Sequence, residues 1–88
     1  MKRAYYSNKI DQFLNDSVSS IIGELSMNHS NRSLDELQTN AWKKQIEILK
    51  DQLNGLQGQI YFEFAIPRMG KRVDNIVIIE DTAFIIEF

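Results

Sequence analysis

Apolar residues recur at helical spacing through the first part of the chain and switch to alternation and short apolar runs after Gly58, so the pattern divides it into helices followed by strands. Ser7 offers an N-cap, and Ile10, Phe13 and Leu14 follow at helical spacing, which predicts a short helix over about 7–15. Asp16 is placed to cap a second helix over about 17–28, with Val18, Ile21, Ile22 and Leu25 as its apolar stripe and Glu24 on the flank. Asn28-His29-Ser30-Asn31 reads as its exit. Ser33 and Glu36 form a capping-box pair opening a third helix over about 34–54. Leu37, Ala41, Ile48 and Leu49 carry its repeat, joined by Trp42, Gln45 and Leu53, and Gly55 suits a left-handed stop.

Beyond Gly58, Ile60 to Ile66 alternates and is rich in aromatic residues, predicting a strand over about 59–66. Pro67-Arg68-Met69-Gly70 breaks it as a turn, a second strand covers about 72–80, Glu80-Asp81 is a tight connection, and a third strand covers about 82–88. Helices first and a compact meander afterwards give an α+β class, with the long helix on one face of a three-stranded antiparallel sheet. Ile76 to Ile79 and Phe84 to Ile86 are apolar at nearly every position, the pattern of strands covered on both faces. A second cover is therefore expected from elsewhere.

With 88 residues, 43% hydrophobic and 25% charged, the chain is expected to be one globular unit or a piece of one, soluble and with a packed core. It has no cysteine and one histidine, which excludes disulfides and the usual zinc ligand sets, so a metal here would need oxygen ligands. Met1-Lys2-Arg3 leads into polar residues and no apolar stretch reaches spanning length, so a cytoplasmic protein with no membrane partner is expected. A net charge of −2 argues against bulk coating of nucleic acid and leaves a local basic patch open.

Counting outward from Glu80-Asp81 brings Asp74 and Glu87 opposite each other across the predicted hairpin. Opposed like charges destabilise a strand pair, and a shared hard cation, Mg²⁺ above all, would relieve them; the plain alternative is a pair of surface acids at strand ends. Arg68, Lys71 and Arg72 around the neighbouring turn suit contacts to nucleic-acid phosphates, with a solvated turn as the equal alternative. Trp42, in step with Ile46 and Leu49, belongs to the core rather than to a base-stacking surface, and His29, in a polar loop, to neither a metal site nor catalysis.

Gly70-Lys71-Arg72-Val73-Asp74, an apolar strand, a short turn and then Phe84-Ile85-Ile86-Glu87-Phe88 together resemble the core of the PD-(D/E)XK superfamily of restriction and repair nucleases. Ile22-Gly23-Glu24-Leu25, Asn40-Ala41-Trp42 and the run from Ile66 to Asp74 are similar to the N-terminal region of a bacterial family that carries a P-loop helicase-like ATPase downstream. The resemblance implies the first half of a restriction-endonuclease-like α/β/α core. It implies that Asp74 and Glu87 bind Mg²⁺, that Glu24 is the auxiliary acid, with Glu63 a less favoured alternative, and that the motif lysine falls just past Phe88. The expected function is then metal-dependent cleavage of nucleic-acid phosphodiesters in the complete domain, with little or none from this truncated chain. The alternative is a non-catalytic module that binds nucleic acid or a protein. The third strand, internal in that superfamily, would be left as an open apolar edge, so a homo-oligomer is expected through edge pairing or helix exchange.

Overall fold

The computed structural model describes residues 3–29 and 36–88. Four strands and three helices follow one another as β1 (Tyr6–Lys9), α1 (Ile10–Asn15), α2 (Val18–Asn28), α3 (Glu36–Gln52), β2 (Gln59–Ile66), β3 (Lys71–Ile79) and β4 (Thr82–Ile86). The α+β class holds. The sheet is antiparallel in the order β1-β2-β3-β4, so the meander has four strands rather than three, and all the helices are inserted between the first two.

The extra strand corrects the start of the first helix. Ser7 lies within β1, opposite Tyr61, and does not cap a helix; α1 begins at Ile10 after Lys9, whose side chain makes no cap bond. Only Tyr6 of the four residues is buried, so the segment lacks a sequence signature, and its partner lies fifty or more positions away in Gln59 to Phe62. The cap of α2 also moves by one residue: the Ser20 amide donates to Ser17 Oγ at 3.1 Å. Asp16 instead accepts from the Tyr6 hydroxyl at 2.6 Å. Burial and that bond to Asp16 push the Tyr6 phenol far above its usual range, so it stays a donor. The Ser33 cap of α3 lies outside the described residues. Gly55, at φ +88°, provides the left-handed stop after Leu53.

The buried stripe of α3 is rotated from the expected one. Trp42, Gln45, Ile46, Leu49 and Leu53 are buried, whereas Leu37 is 79% exposed and Ala41 and Ile48 also face outward. Two apolar stripes overlap on this helix, and the one holding the tryptophan buries the larger area. It packs with Ile21 and Leu25 of α2, Ile10 and Phe13 of α1, and Tyr6, Ile60, Phe62 and Val77 of the sheet. Lys50, in the last turn of α3, donates to the carbonyls of Phe13 (2.6 Å), Leu14 (3.2 Å) and Asp16 (2.5 Å). A single ammonium thus satisfies carbonyls that the end of α1 would otherwise leave unpaired.

The two hairpins form as expected from their turns. Pro67–Met69 makes one turn of 3₁₀ helix closed by Gly70 at φ +63°, and Glu80 takes φ +56° in the two-residue link between β3 and β4. Gly58 at φ +155° is obligatory for another reason: a Cβ there would collide with the carbonyl oxygen of Ile78. β4 forms one edge of the sheet, and Thr82 through Ile85 are exposed, Ile85 by 61%. By the strand alternation Ile76 and Ile85 point away from the face that holds Ile60 and Val77.

Candidate active site

The register of the second hairpin runs from Ile79↔Thr82 to Asn75↔Ile86, and one more step sets Asp74 opposite Glu87. The Phe88 amide donates to Asp74 Oδ2 at 2.7 Å, and the Asp74 amide approaches Glu87 Oε2 at 3.4 Å. Each carboxylate is therefore held by the backbone of the other's strand segment. Both groups supply hard oxygen donors, and Glu87 is exposed, which leaves the pair open to solvent cations.

On the other side of β3, Phe62↔Asn75 and Phe64↔Val73 bracket Glu63, which sits beside Asp74 but has no rung of its own in the ladder. Glu63 takes φ +55°, a left-handed conformation that costs a non-glycine residue about 1–3 kcal/mol. The carboxylate of Glu63 accepts from Trp42 Nε1 at 3.2 Å. Burial raises the Glu63 pKa; the Trp42 bond opposes the rise, the Asp74 charge adds to it, and Arg72 and His29 lower it. Glu63 on β2, Asp74 on β3 and Glu87 thus occupy one row, Glu87 lying one residue past the end of β4, which stops at Ile86 rather than running to Phe88. Among the described residues no three His, Asp or Glu side chains converge closely enough to hold a metal together.

The basic residues divide by environment. Arg68 and Lys71 are exposed around the turn. Arg72 is pinned: its guanidinium lies 4.1 Å from the centroid of the Tyr5 ring and donates to the carbonyl oxygens of Glu63 and, at 3.3 Å, Arg3. Tyr5 in turn meets His29 edge to face at 5.8 Å, and His29 meets Trp42 at 5.7 Å. His29 is accordingly part of the packing that surrounds Glu63.

Glu24 is exposed on α2 and lines a groove with Arg3, Tyr5, Tyr61 and Phe64; it forms no metal-holding group with Asp74 and Glu87. Glu63 is the acid that stands next to Asp74. Its position was within reach of the sequence, because counting outward from the Pro67–Gly70 turn pairs 66 with 71 and hence 63 with 74. The Trp42 bond and the Arg72 stack had no such signal. Two fully or nearly buried polar atoms, Asn75 Oδ1 and Gln45 Oε1, have no hydrogen-bond partner, although Asn75 Nδ2 donates to the Tyr61 carbonyl at 3.2 Å. Comparison with family models, with curated proteins and with solved structures finds no match to the chain.

Proposed function

We propose that this chain carries the acidic pair of a metal-dependent, PD-(D/E)XK nuclease-like site that acts on nucleic-acid phosphodiesters, with Asp74 and Glu87 as the ligands of a hard cation such as Mg²⁺. The observation that carries the reading is the opposition of these two carboxylates at the end of an otherwise apolar hairpin. Two like charges on facing strands oppose pairing, and an all-oxygen donor set matches magnesium, which takes one or two carboxylates and completes its shell with water and phosphate oxygens. When bound, the cation would lower the pKa of a water and offset charge on the scissile phosphate.

The chain's own residues would do the rest. The Phe88 amide holds Asp74, and the Asp74 amide steadies Glu87, so the pair is oriented by main chain rather than by flexible side chains. Arg72, fixed on Tyr5 and on the Glu63 carbonyl, holds the β2 backbone beside Asp74 and lowers the Glu63 pKa. Arg68 and Lys71 are the exposed cations suited to phosphate. Two carboxylates without a third close ligand among the described residues bind a cation weakly, so cleavage by this chain alone should be slight or nil. The reading is tested by a nuclease assay in Mg²⁺ or Mn²⁺ paired with direct titration of Mn²⁺. It expects weak Mn²⁺ binding that is lost in Asp74→Ala; unchanged Mn²⁺ binding in that variant sinks it.

The absence of a third ligand among the described residues favours a second reading, a non-catalytic module for nucleic acid or a protein. That reading expects Asp74→Ala and Glu87→Ala to leave binding intact while changes at Arg68, Lys71 or Arg72 weaken it. In either case we propose self-association through β4, whose outer edge carries Ala83, Phe84, Ile85 and Ile86 without charge or proline.

A further inference from the structure

The left-handed turn of the chain at Glu63 has a second effect on β2. In a regular strand, residues three apart point to opposite faces. Here Tyr61 and Phe64 meet edge to face, with ring centroids 5.4 Å apart and planes at 77°. Both rings remain only partly buried and line a groove of about 350 Å³ beside the edge strand β1. That volume is at the lower end of the range, roughly 300–1,000 Å³, of pockets that hold small ligands. The Arg3 guanidinium stands 6.0 Å from the centroid of Phe64, and Glu24 enters the groove from α2.

We infer that this groove receives an unpaired nucleobase, stacked on one of the Tyr61 and Phe64 rings and edge-on to the other, with its phosphate toward Arg3. The inference rests on the nucleic-acid reading above and specifies its substrate class as single-stranded. A base inside a duplex has both faces covered by its neighbours and cannot offer one to an aromatic side chain, whereas any unpaired base can. Arg3 supplies the positive charge that the phosphate needs, and Arg72, stacked on the neighbouring Tyr5, adds a second fixed cation beside it. Glu24 would repel phosphate but accepts hydrogen bonds, so it belongs at the base edge. An acidic acceptor there favours bases with an exocyclic amino group, cytosine above all, over thymine or uracil.

The test is fluorescence anisotropy in EDTA with labelled oligocytidine, oligothymidine and a duplex, each about 12 nucleotides long. Working without divalent cations keeps it independent of the acidic pair. The oligocytidine should bind more tightly than either the oligothymidine or the duplex. Tyr61→Leu and Phe64→Leu keep apolar bulk and remove the ring, and each should weaken single-strand binding about five- to 150-fold. Glu24→Gln should erase the preference for cytosine. Burial of Trp42, read from its emission, verifies that each variant is folded. Equal affinity for duplex and single strand, no binding of any oligonucleotide, or unchanged affinity in both folded leucine variants overturns the assignment. Loss of Mn²⁺ binding or of cleavage in Asp74 variants would leave it standing, and the converse also holds.

Discussion

Glu87→Gln should change stability in opposite directions with and without magnesium. In the cation-free chain, Asp74 and Glu87 face each other as like charges, an arrangement worth about 0.2–1 kcal/mol against the pair. Glu87 is exposed, so solvent screening keeps the value near about 0.5 kcal/mol. Removing that charge should raise the melting temperature by about 2–4 °C in a chain of 88 residues. Magnesium reverses the order. A dissociation constant on the order of 1 mM, typical of weak carboxylate sites, gives about 1.4 kcal/mol of stabilisation at about 10 mM Mg²⁺. The parent chain should then gain about 6–11 °C and overtake the variant, which should hardly respond. The assay is thermal unfolding followed by circular dichroism, with sodium chloride matched in ionic strength as the control for screening. Equal magnesium responses in the parent and Glu87→Gln would refute the claim that these two acids share a cation.

Lys50→Met keeps the aliphatic stem and removes the donor to the three carbonyls of Phe13, Leu14 and Asp16, so urea unfolding should report a loss of about 2–3 kcal/mol. Glu63 has a raised folded pKa, so the native state holds its proton more tightly than the unfolded chain does. Its contribution is complete below the unfolded carboxylate value and is lost as pH rises through the higher folded value. Glu63→Gln can still accept from Trp42, and it should flatten that descending limb in a stability profile taken across the acidic range. Sedimentation at low micromolar concentration should detect a dimer, and Ile85→Lys should return it to a monomer by placing a charge on the β4 edge.

Local signals were strong wherever turn chemistry and alternation coincided. The Pro67–Gly70 and Glu80-Asp81 turns fix both registers, and so the opposition of Asp74 and Glu87 could be counted from sequence. β1 could not be read, because Tyr6–Lys9 has polar side chains at three of its four positions and is a strand only by pairing with distant Gln59–Phe62. Propensity gave way to tertiary pairing there. On α3 the sequence offers two apolar stripes; the repeat itself marks Trp42, Ile46 and Leu49 as core, and they are buried, but only packing against Ile60 and Phe62 decides that Leu37 lies outside. Glu63 carries the largest lesson. Its place beside Asp74 can be counted from the Pro67–Gly70 turn, although the resemblance makes it only the less favoured alternative to Glu24, but the left-handed backbone that turns its carboxylate to Trp42 and brings Tyr61 to Phe64 depends on α3, Arg72 and Tyr5 together.

The bond between Trp42 and Glu63 also gives the molecule a built-in optical gauge. Trp42 is the single tryptophan of the chain, it is wholly buried, and its indole N–H ends on the carboxylate that adjoins Asp74. Indole emission responds to a nearby charge and to the loss of a hydrogen bond, so gain or loss of a proton at Glu63 is carried into the colour and yield of its light. The Asp74 charge acts on Glu63, so a cation held by Asp74, as proposed, would change the field at Glu63 and reach the same ring. Occupancy of the proposed site would then be followed in the unlabelled protein, in real time, from the fluorescence of one side chain that never meets the ligand.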